Sequence, residues 1–534
     1  MIPRFSQRER YATAALCFAT RCAGADPTFI LMTYCRSRRR AITALRVFSL
    51  ALALVLAPGV TIAQSAPPNT WARTNVDLRI GYESVSLPGD EKMGLVGTSY
   101  LVELREGLCV GPAVYGAASG ERGGLFTVGA EAALCIRLAG PLGLQTGLYV
   151  GGGGGGGAPQ GGGLMLRPHV DLLWDFGGYR LGVSVSNVRF PSGEINSTQF
   201  GLVLAMNTQF IHLPGGTEPM PYFGGLRTGV GFDRILGVVG AYRPKSGAEG
   251  NSGKPLSSTI GPVGARADHF FTPNFFGGLQ ANAAASGGAA GYAEFLGTLG
   301  MQWPLGADNF TLGGRVALGM GGGGDMPTGG GLLGKAALDA ALRLSRNVSL
   351  NLEAGWAYAP QGSFSAPFAT LAVMWDLDHE RGTPDVQTRE EFIGGVETYH
   401  LAARKKGPPQ TLDNVTFKFN RFVSDSFYLT GQVHSAYAGD AGGFSVGLIG
   451  VGAQQMLGDH VLVGAELLAG AAGGGGVDTG NGAIVQPMAY VGVNLSRSLS
   501  LRLGAGRIKS GGGGLDSNVL DLTLAFSFGV ASRP

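Results

Sequence analysis

Three places in this chain hold residue types that could do chemistry. Residues 329–335 read GGGLLGK, close to the phosphate-binding pattern G-x-x-x-x-G-K-[ST]. Such a loop cradles phosphate oxygens on backbone amides, and its Ser or Thr holds magnesium. Ala336 stands at that hydroxyl position, so the metal half of the chemistry is missing. His169 sits between Arg167 and Asp171 at alternate positions, which could set a general base beside a carboxylate. Cys109 and Cys135 are the cysteines that follow residue 63. No HExxH or CxxC occurs.

Repetition weakens the first two. VALGMGGGGDMPTGGGLLGKAAL (316–338) aligns without a gap to LYVGGGGGGGAPQGGGLMLRPHV (148–170), and LLAGAAGGGGVDTGNGAIVQPMAY (467–490) matches with one residue deleted. Lys335 therefore corresponds to Arg167 and Gln486, and His169 to Ala337 and Met488. A site present in only one of three copies reads better as side-chain packing than as a catalytic or nucleotide centre. We expect no enzyme, no metal and no cofactor.

The elements that position these residues are strands. The flanks repeat too, giving units at 75–210, 222–377 and 392–530, joined by 211–221 and 378–391. Each unit reads as eight strands. In 348–356, Val348, Leu350, Leu352, Ala354 and Trp356 oppose Ser349, Asn351, Glu353 and Gly355. In 520–528, Leu520, Leu522, Leu524, Phe526 and Phe528 oppose Asp521, Thr523, Ala525 and Ser527. Nearly every strand carries an apolar face about ten residues long, enough to cross a bilayer at a tilt. Short connections such as EGL, FGGY, SRN and LGDH alternate with longer ones rich in Gly, Ser and Pro. Glycine supplies 93 of 534 residues, charged residues only 14% and hydrophobic residues 45%. That composition excludes a disordered tail and fits a membrane protein.

The N-terminal region fits export. RSRRR (36–40) precedes an apolar run from Ala41 to Ala57 and a small-residue site, Thr61-Ile62-Ala63. Residues 1–63 thus read as an upstream extension plus a cleaved signal peptide, with Met32 as the expected start. No later run approaches a spanning helix. The expected location is the Gram-negative outer membrane. The partners are the bilayer with its lipopolysaccharide and the barrel-assembly machinery, and no nucleic acid.

Strands, turn alternation and an aromatic at the short-turn ends (Trp174, Trp375, Phe528) resemble the small eight-stranded outer-membrane barrels, those like outer membrane protein A, in three tandem copies over 75–530. That resemblance is architectural, with no family motif, and GVASRP after Phe528 departs from the usual terminal aromatic. The fold class expected is all-β, three antiparallel up-and-down transmembrane barrels; the alternative is one 24-stranded barrel acting as a wide diffusion or export channel. A structural role or narrow passive pore is the expected function, with a lipid hydrolase or surface adhesin as alternatives.

Inward parity selects Asp77, Arg79, Glu83, Glu131, Arg137, Arg167, His169, Asp171 and Arg180 in the first unit. In the others it selects Arg315, Lys335, Asp339, Glu353, Glu466, Arg502 and Asp521. Opposite charges there would pair across a narrow lumen. A hairpin tip near residue 122 sets Cys109 directly opposite Cys135 on the inward face. They could bond in an oxidising compartment, but directly opposed strand residues make strained bridges, so bonded and free thiols both stay open. The glycine runs are outer strand ends with a tip turn at Ala158-Pro159-Gln160. Gly154, Gly322 and Gly474 mark a seam on which another unit is expected to dock, because glycine permits close backbone approach.

Overall fold

The structure, a computed structural model, describes residues 70–216, 227–306, 309–377 and 387–531. The signal peptide and Met32 lie outside them. Among the described residues there is no helix long and apolar enough to cross a membrane.

Among the described residues, twenty-four antiparallel strands close into three barrels. Barrel 1 contains β1 (Ala72–Ser86), β2 (Lys92–Arg105), β3 (Leu108–Ser119), β4 (Phe126–Ala139), β5 (Leu142–Gly154), β6 (Met165–Asp175), β7 (Tyr179–Arg189) and β8 (Asn196–Pro214). Barrel 2 contains β9 (Arg234–Tyr242), β10 (Gly261–Phe270), β11 (Phe275–Ser286), β12 (Ala293–Leu305), β13 (Phe310–Gly322), β14 (Leu332–Arg343), β15 (Val348–Tyr358) and β16 (Ser365–Asp376). Barrel 3 contains β17 (Gln387–Ala402), β18 (Gln410–Phe422), β19 (Phe427–Ala438), β20 (Ser445–Leu457), β21 (Val461–Gly473), β22 (Ala483–Asn494), β23 (Leu499–Ser510) and β24 (Asp516–Ala531).

Each barrel closes on itself. β1 pairs with β8 from Ala72↔His212 to Glu83↔Gly201. β9 pairs with β16 from Arg234↔Asp376 to Tyr242↔Phe368. β17 pairs with β24 from Gln387↔Ala531 to His400↔Asn518. The single 24-stranded barrel is therefore overturned: it needs β1 against β24, whereas barrels 1 and 3 share only the pairs Phe528↔Pro214 and Gly529↔Leu213, between β24 and β8.

Two connections differ from the sequence reading. β8 runs on to Pro214 and β17 starts at Gln387, so parts of 211–221 and 378–391 are strand. The first strand of barrel 2 starts only at Arg234, and residues 217–226 and 378–386 lie outside the described residues.

Side chains are sorted by strand alternation. Leu352, Trp356 and Leu520 are exposed, while Ser349, Asn351, Glu353, Asp521 and Thr523 beside them are buried. Polar inside and apolar outside inverts the arrangement of a water-soluble protein, and it is the distribution that hydrocarbon demands. Trp174 is exposed near a short turn. Phe528, expected in the same girdle, is instead buried between barrels 1 and 3 with Phe210, Val76 and Val530.

Candidate functional site

In barrel 1, β1, β4 and β6 are not neighbours in the circuit, so a bond between their side chains must cross the lumen. Arg79 on β1 does this twice, reaching Glu131 on β4 at 2.5 Å and Asp171 on β6. His169 lies between the same carboxylates, with Nε2 3.2 Å from Glu131 and Nδ1 3.0 Å from Asp171. Arg167 donates to both oxygens of Glu83 at 2.8 and 3.0 Å, and Tyr115 donates to Glu131 at 3.0 Å. Below them Arg180 meets Asp77 at 2.5 Å. Arg137 stands apart, exposed at the short-turn end of β4. The void beside Arg79, Glu83, Tyr115 and Arg167 has about 20 Å³, room for roughly one water.

Barrel 2 repeats the device with other residues. Arg315 grips Glu353 through two bonds of 2.6 Å, and Arg266 adds one at 3.1 Å. Lys335 sits 2.5 Å from Glu294, which also accepts from Tyr242, Tyr292 and Asn282 at 2.7 Å each. Lys335 is thus a lumen cation, not a phosphate-loop lysine. Asp339 is half-buried and accepts from Asn351 at 2.9 Å. In barrel 3, Lys418 pairs with Asp521 at 2.5 Å, Glu466 accepts from Tyr428 and Gln432 at 2.9 Å, and Arg502 reaches Glu391 at 2.8 Å. Sequence reasoning missed Arg266, Glu294, Glu391, Glu397 and Lys418. The parity used for barrel 1 carries the signal for Arg266, Glu294 and Lys418, but Glu391 was hidden by placing it in a linker.

Above each polar layer, at the long-loop end, the lumen is apolar. In barrel 1 Val85, Leu95, Tyr149, Met165 and Val188 meet Leu125, Phe190 and Ile195 from the loops. Barrel 2 places Leu333, Met326 and Phe364 there, and barrel 3 Leu412, Phe444, Val477 and Leu515. Each lumen is therefore filled by two layers of different chemistry.

The glycine runs meet between barrels. The β3–β4 tip of barrel 1 lies on the β13–β14 hairpin of barrel 2, where the Gly123 amide donates to the Gly329 carbonyl at 2.9 Å. A methyl group on Gly124 would fall 2.1 Å from the Gly323 nitrogen, and one on Gly322 would fall 2.5 Å from the Gly123 carbonyl carbon. The β11–β12 tip of barrel 2 lies on β21–β22 of barrel 3, with a methyl on Gly473 only 2.1 Å from the Gly291 nitrogen and one on Gly291 2.8 Å from that of Gly474. The β19–β20 tip of barrel 3 returns to β5–β6 of barrel 1. There the amides of Gly442 and Gly443 donate to Gly161 and Gly153 at 3.2 and 3.0 Å, and a methyl on Gly443 would lie 3.2 Å from the Gly154 carbonyl carbon. Tip meets seam from barrel 1 to 2, 2 to 3 and 3 to 1, a head-to-tail ring that closes within one chain. Sequence reasoning named the seam but not the tip that fills it; the recurring tip glycines at 124, 291 and 443 carried that signal.

Cys109 and Cys135 do not oppose each other. Cys109 faces Ala133 and Cys135 faces Gln145 on β5. The thiols are free, with their sulfurs 3.9 Å apart on the diagonal. Among the described residues no group of His, Cys, Asp and Glu is arranged to hold a metal.

No family model matches this chain, and neither does any curated protein sequence. Among solved structures it is similar to a ferric enterobactin receptor mutant from Pseudomonas aeruginosa (13% identity, 87% of this chain and 82% of that one, TM-score 0.28). The siderophore receptor PirA from Acinetobacter baumannii gives 12% identity over 87% and 81%, with a TM-score of 0.28. The outer membrane protein opdK from Pseudomonas aeruginosa gives 10% over 87% and 100%, with a TM-score of 0.22. Overlaps at these scores carry no inference about what this chain does.

Proposed function

We propose that this chain is an outer-membrane protein whose three barrels form a closed, non-conducting scaffold. The observation that carries the reading is the filling of every lumen, by crossing ion pairs in one layer and apolar side chains in the next. Exposed apolar faces around buried charge support the membrane, since a lipid-facing charge costs about 2–4 kcal/mol at the midplane. Alternating short turns and longer loops support the orientation, short turns toward the periplasm. A narrow pore fits less well, because an ion would have to displace both layers. A hydrolase fits less well too: His169 is buried with each ring nitrogen facing a carboxylate.

Fractionation and planar-bilayer recording of the purified protein test this. We expect an outer-membrane fraction, heat-modifiable migration and no conductance steps. Reproducible steps of nanosiemens size would refute the closed scaffold.

A further inference from the structure

We propose that Cys109 and Cys135 are a modification site: a disulfide that clasps the β3–β4 hairpin of barrel 1 where the other two barrels use an aromatic ring. The three hairpins can be read in one frame. Their tip glycines, Gly124, Gly291 and Gly443, have φ of +93°, +96° and +89°. Counted from those tips, Cys109, Phe276 and Tyr428 occupy one place. The register sets Ala133, Gly300 and Gly452 opposite them. Two residues beyond these stand Cys135, Gln302 and Gln454.

In barrels 2 and 3 the ring lies across the facing glycine. A methyl on Gly300 would fall 2.3 Å from Cζ of Phe276, and one on Gly452 would fall 2.2 Å from Cζ of Tyr428. Both rings are buried, and each pins two strands at the short-turn end, as aromatic cover over a strand glycine does elsewhere. Barrel 1 has neither part of this device. Its facing residue is Ala133, whose methyl takes the space a ring would need, and the ring position is Cys109. What it has instead is two sulfurs 3.9 Å apart, packed with Leu101 and Ala133. A bond needs them at about 2.0 Å, a closure within reach of side-chain rotation and a small strand adjustment.

Half-buried Cys135 is the accessible thiol. As thiolate it attacks the disulfide of an oxidant, releasing one oxidant thiol and leaving a mixed disulfide. The Cys109 thiolate then attacks Cys135 Sγ and expels the second oxidant thiol. Two cysteine thiols lose two protons and two electrons, and one oxidant disulfide becomes two thiols. The step needs an oxidising compartment, and to that extent it rests on the export argued above.

The test is peptide mapping of full-length protein, with thiols alkylated before lysis and no reductant. We expect a cross-linked pair containing Cys109 and Cys135. Alkylation of both in protein from the outer-membrane fraction overturns this inference and leaves the location standing. A bonded pair in protein from another fraction overturns the location and leaves the clasp. A second measurement reads the clasp itself. Reductant should lower the temperature of heat-modifiable unfolding in the native protein, and leave it unchanged in C109F/A133G/C135Q, which installs the barrel 2 device. A bonded protein indifferent to reductant would overturn the clasp.

Discussion

Replacing Gly124 by alanine should part barrels 1 and 2. The new methyl falls 2.1 Å from the Gly323 nitrogen and 2.6 Å from two further backbone atoms of barrel 2, so no side chain can swing away to make room. Ordinary contact starts near 3.4 Å, and the seam must retreat by the difference, about 1.3 Å. That retreat carries the Gly123 amide out of reach of the Gly329 carbonyl, now 2.9 Å away. A buried amide left unpaired costs about 1–3 kcal/mol. Alanine at a φ of +93° adds about 1–2 kcal/mol. The sum is roughly 2–5 kcal/mol, at least a thirtyfold loss of contact at 1.4 kcal/mol per factor of ten. Gly177→Ala separates the two terms: its φ is +87°, and nothing lies within 4 Å of the added methyl. The assay places a protease site in 217–226, cuts the purified protein and measures how much tagged barrel 1 stays with barrels 2 and 3 as detergent is raised. Gly124→Ala should release barrel 1 far earlier than Gly177→Ala. Equal release by both variants would refute the interface.

Gly154→Leu and Gly322→Leu should disrupt assembly in the same assay, and normal migration with full protease resistance in both would show that the seam is not a contact. Glu353→Gln strips the buried Arg315 and Arg266 of their shared partner and should cost about 3–5 kcal/mol, read as a lower temperature of heat-modifiable migration. The pair R315M/E353L should regain much of it, and a double variant worse than the single would contradict a lumen held by charge pairing. Phe528→Ala should weaken the contact of barrel 1 with barrel 3 by about 3–5 kcal/mol, seen as earlier release, while far-ultraviolet circular dichroism stays native. His212 lies on the stretch of β8 beyond its last pair with β7, Tyr179↔Met206, at the short-turn end. Burial pushes its pKa down to about 4, against Phe210 and near Phe526 and Phe528. Between about 6.5 and 4 the separated state binds the extra proton, so the contact should weaken as pH falls through that window. H212F should abolish this dependence; a variant with unchanged pH response would refute it.

The alternation of Ser349, Asn351 and Glu353 with Leu350, Leu352 and Trp356 was enough to determine strands that keep charge on one face and apolar side chains on the other. That property is local: period two needs only a strand and a solvent difference across it. Lumen residues such as Arg79, Arg167 and Asp171 were legible for the same reason, and Glu391 was not, because the first residues of its strand had been read as linker. Closure was beyond the sequence. β1 offers the same face pattern to β8 as to β24, and only the tertiary structure chooses, through twelve pairs with β8. Register was beyond it too. Alternation detects a slip of one residue, which turns every side chain over, but not a slip of two. That is why Cys109 faces Ala133 and not Cys135. Phe528 shows the same limit, since an outward residue can meet lipid or another barrel, and β24 against β8 decided for the barrel. The glycine runs announced from sequence that backbones would come close. Which backbones, and in what cyclic order, depended on three hairpin tips reaching across to barrels that lie remote from them along the chain.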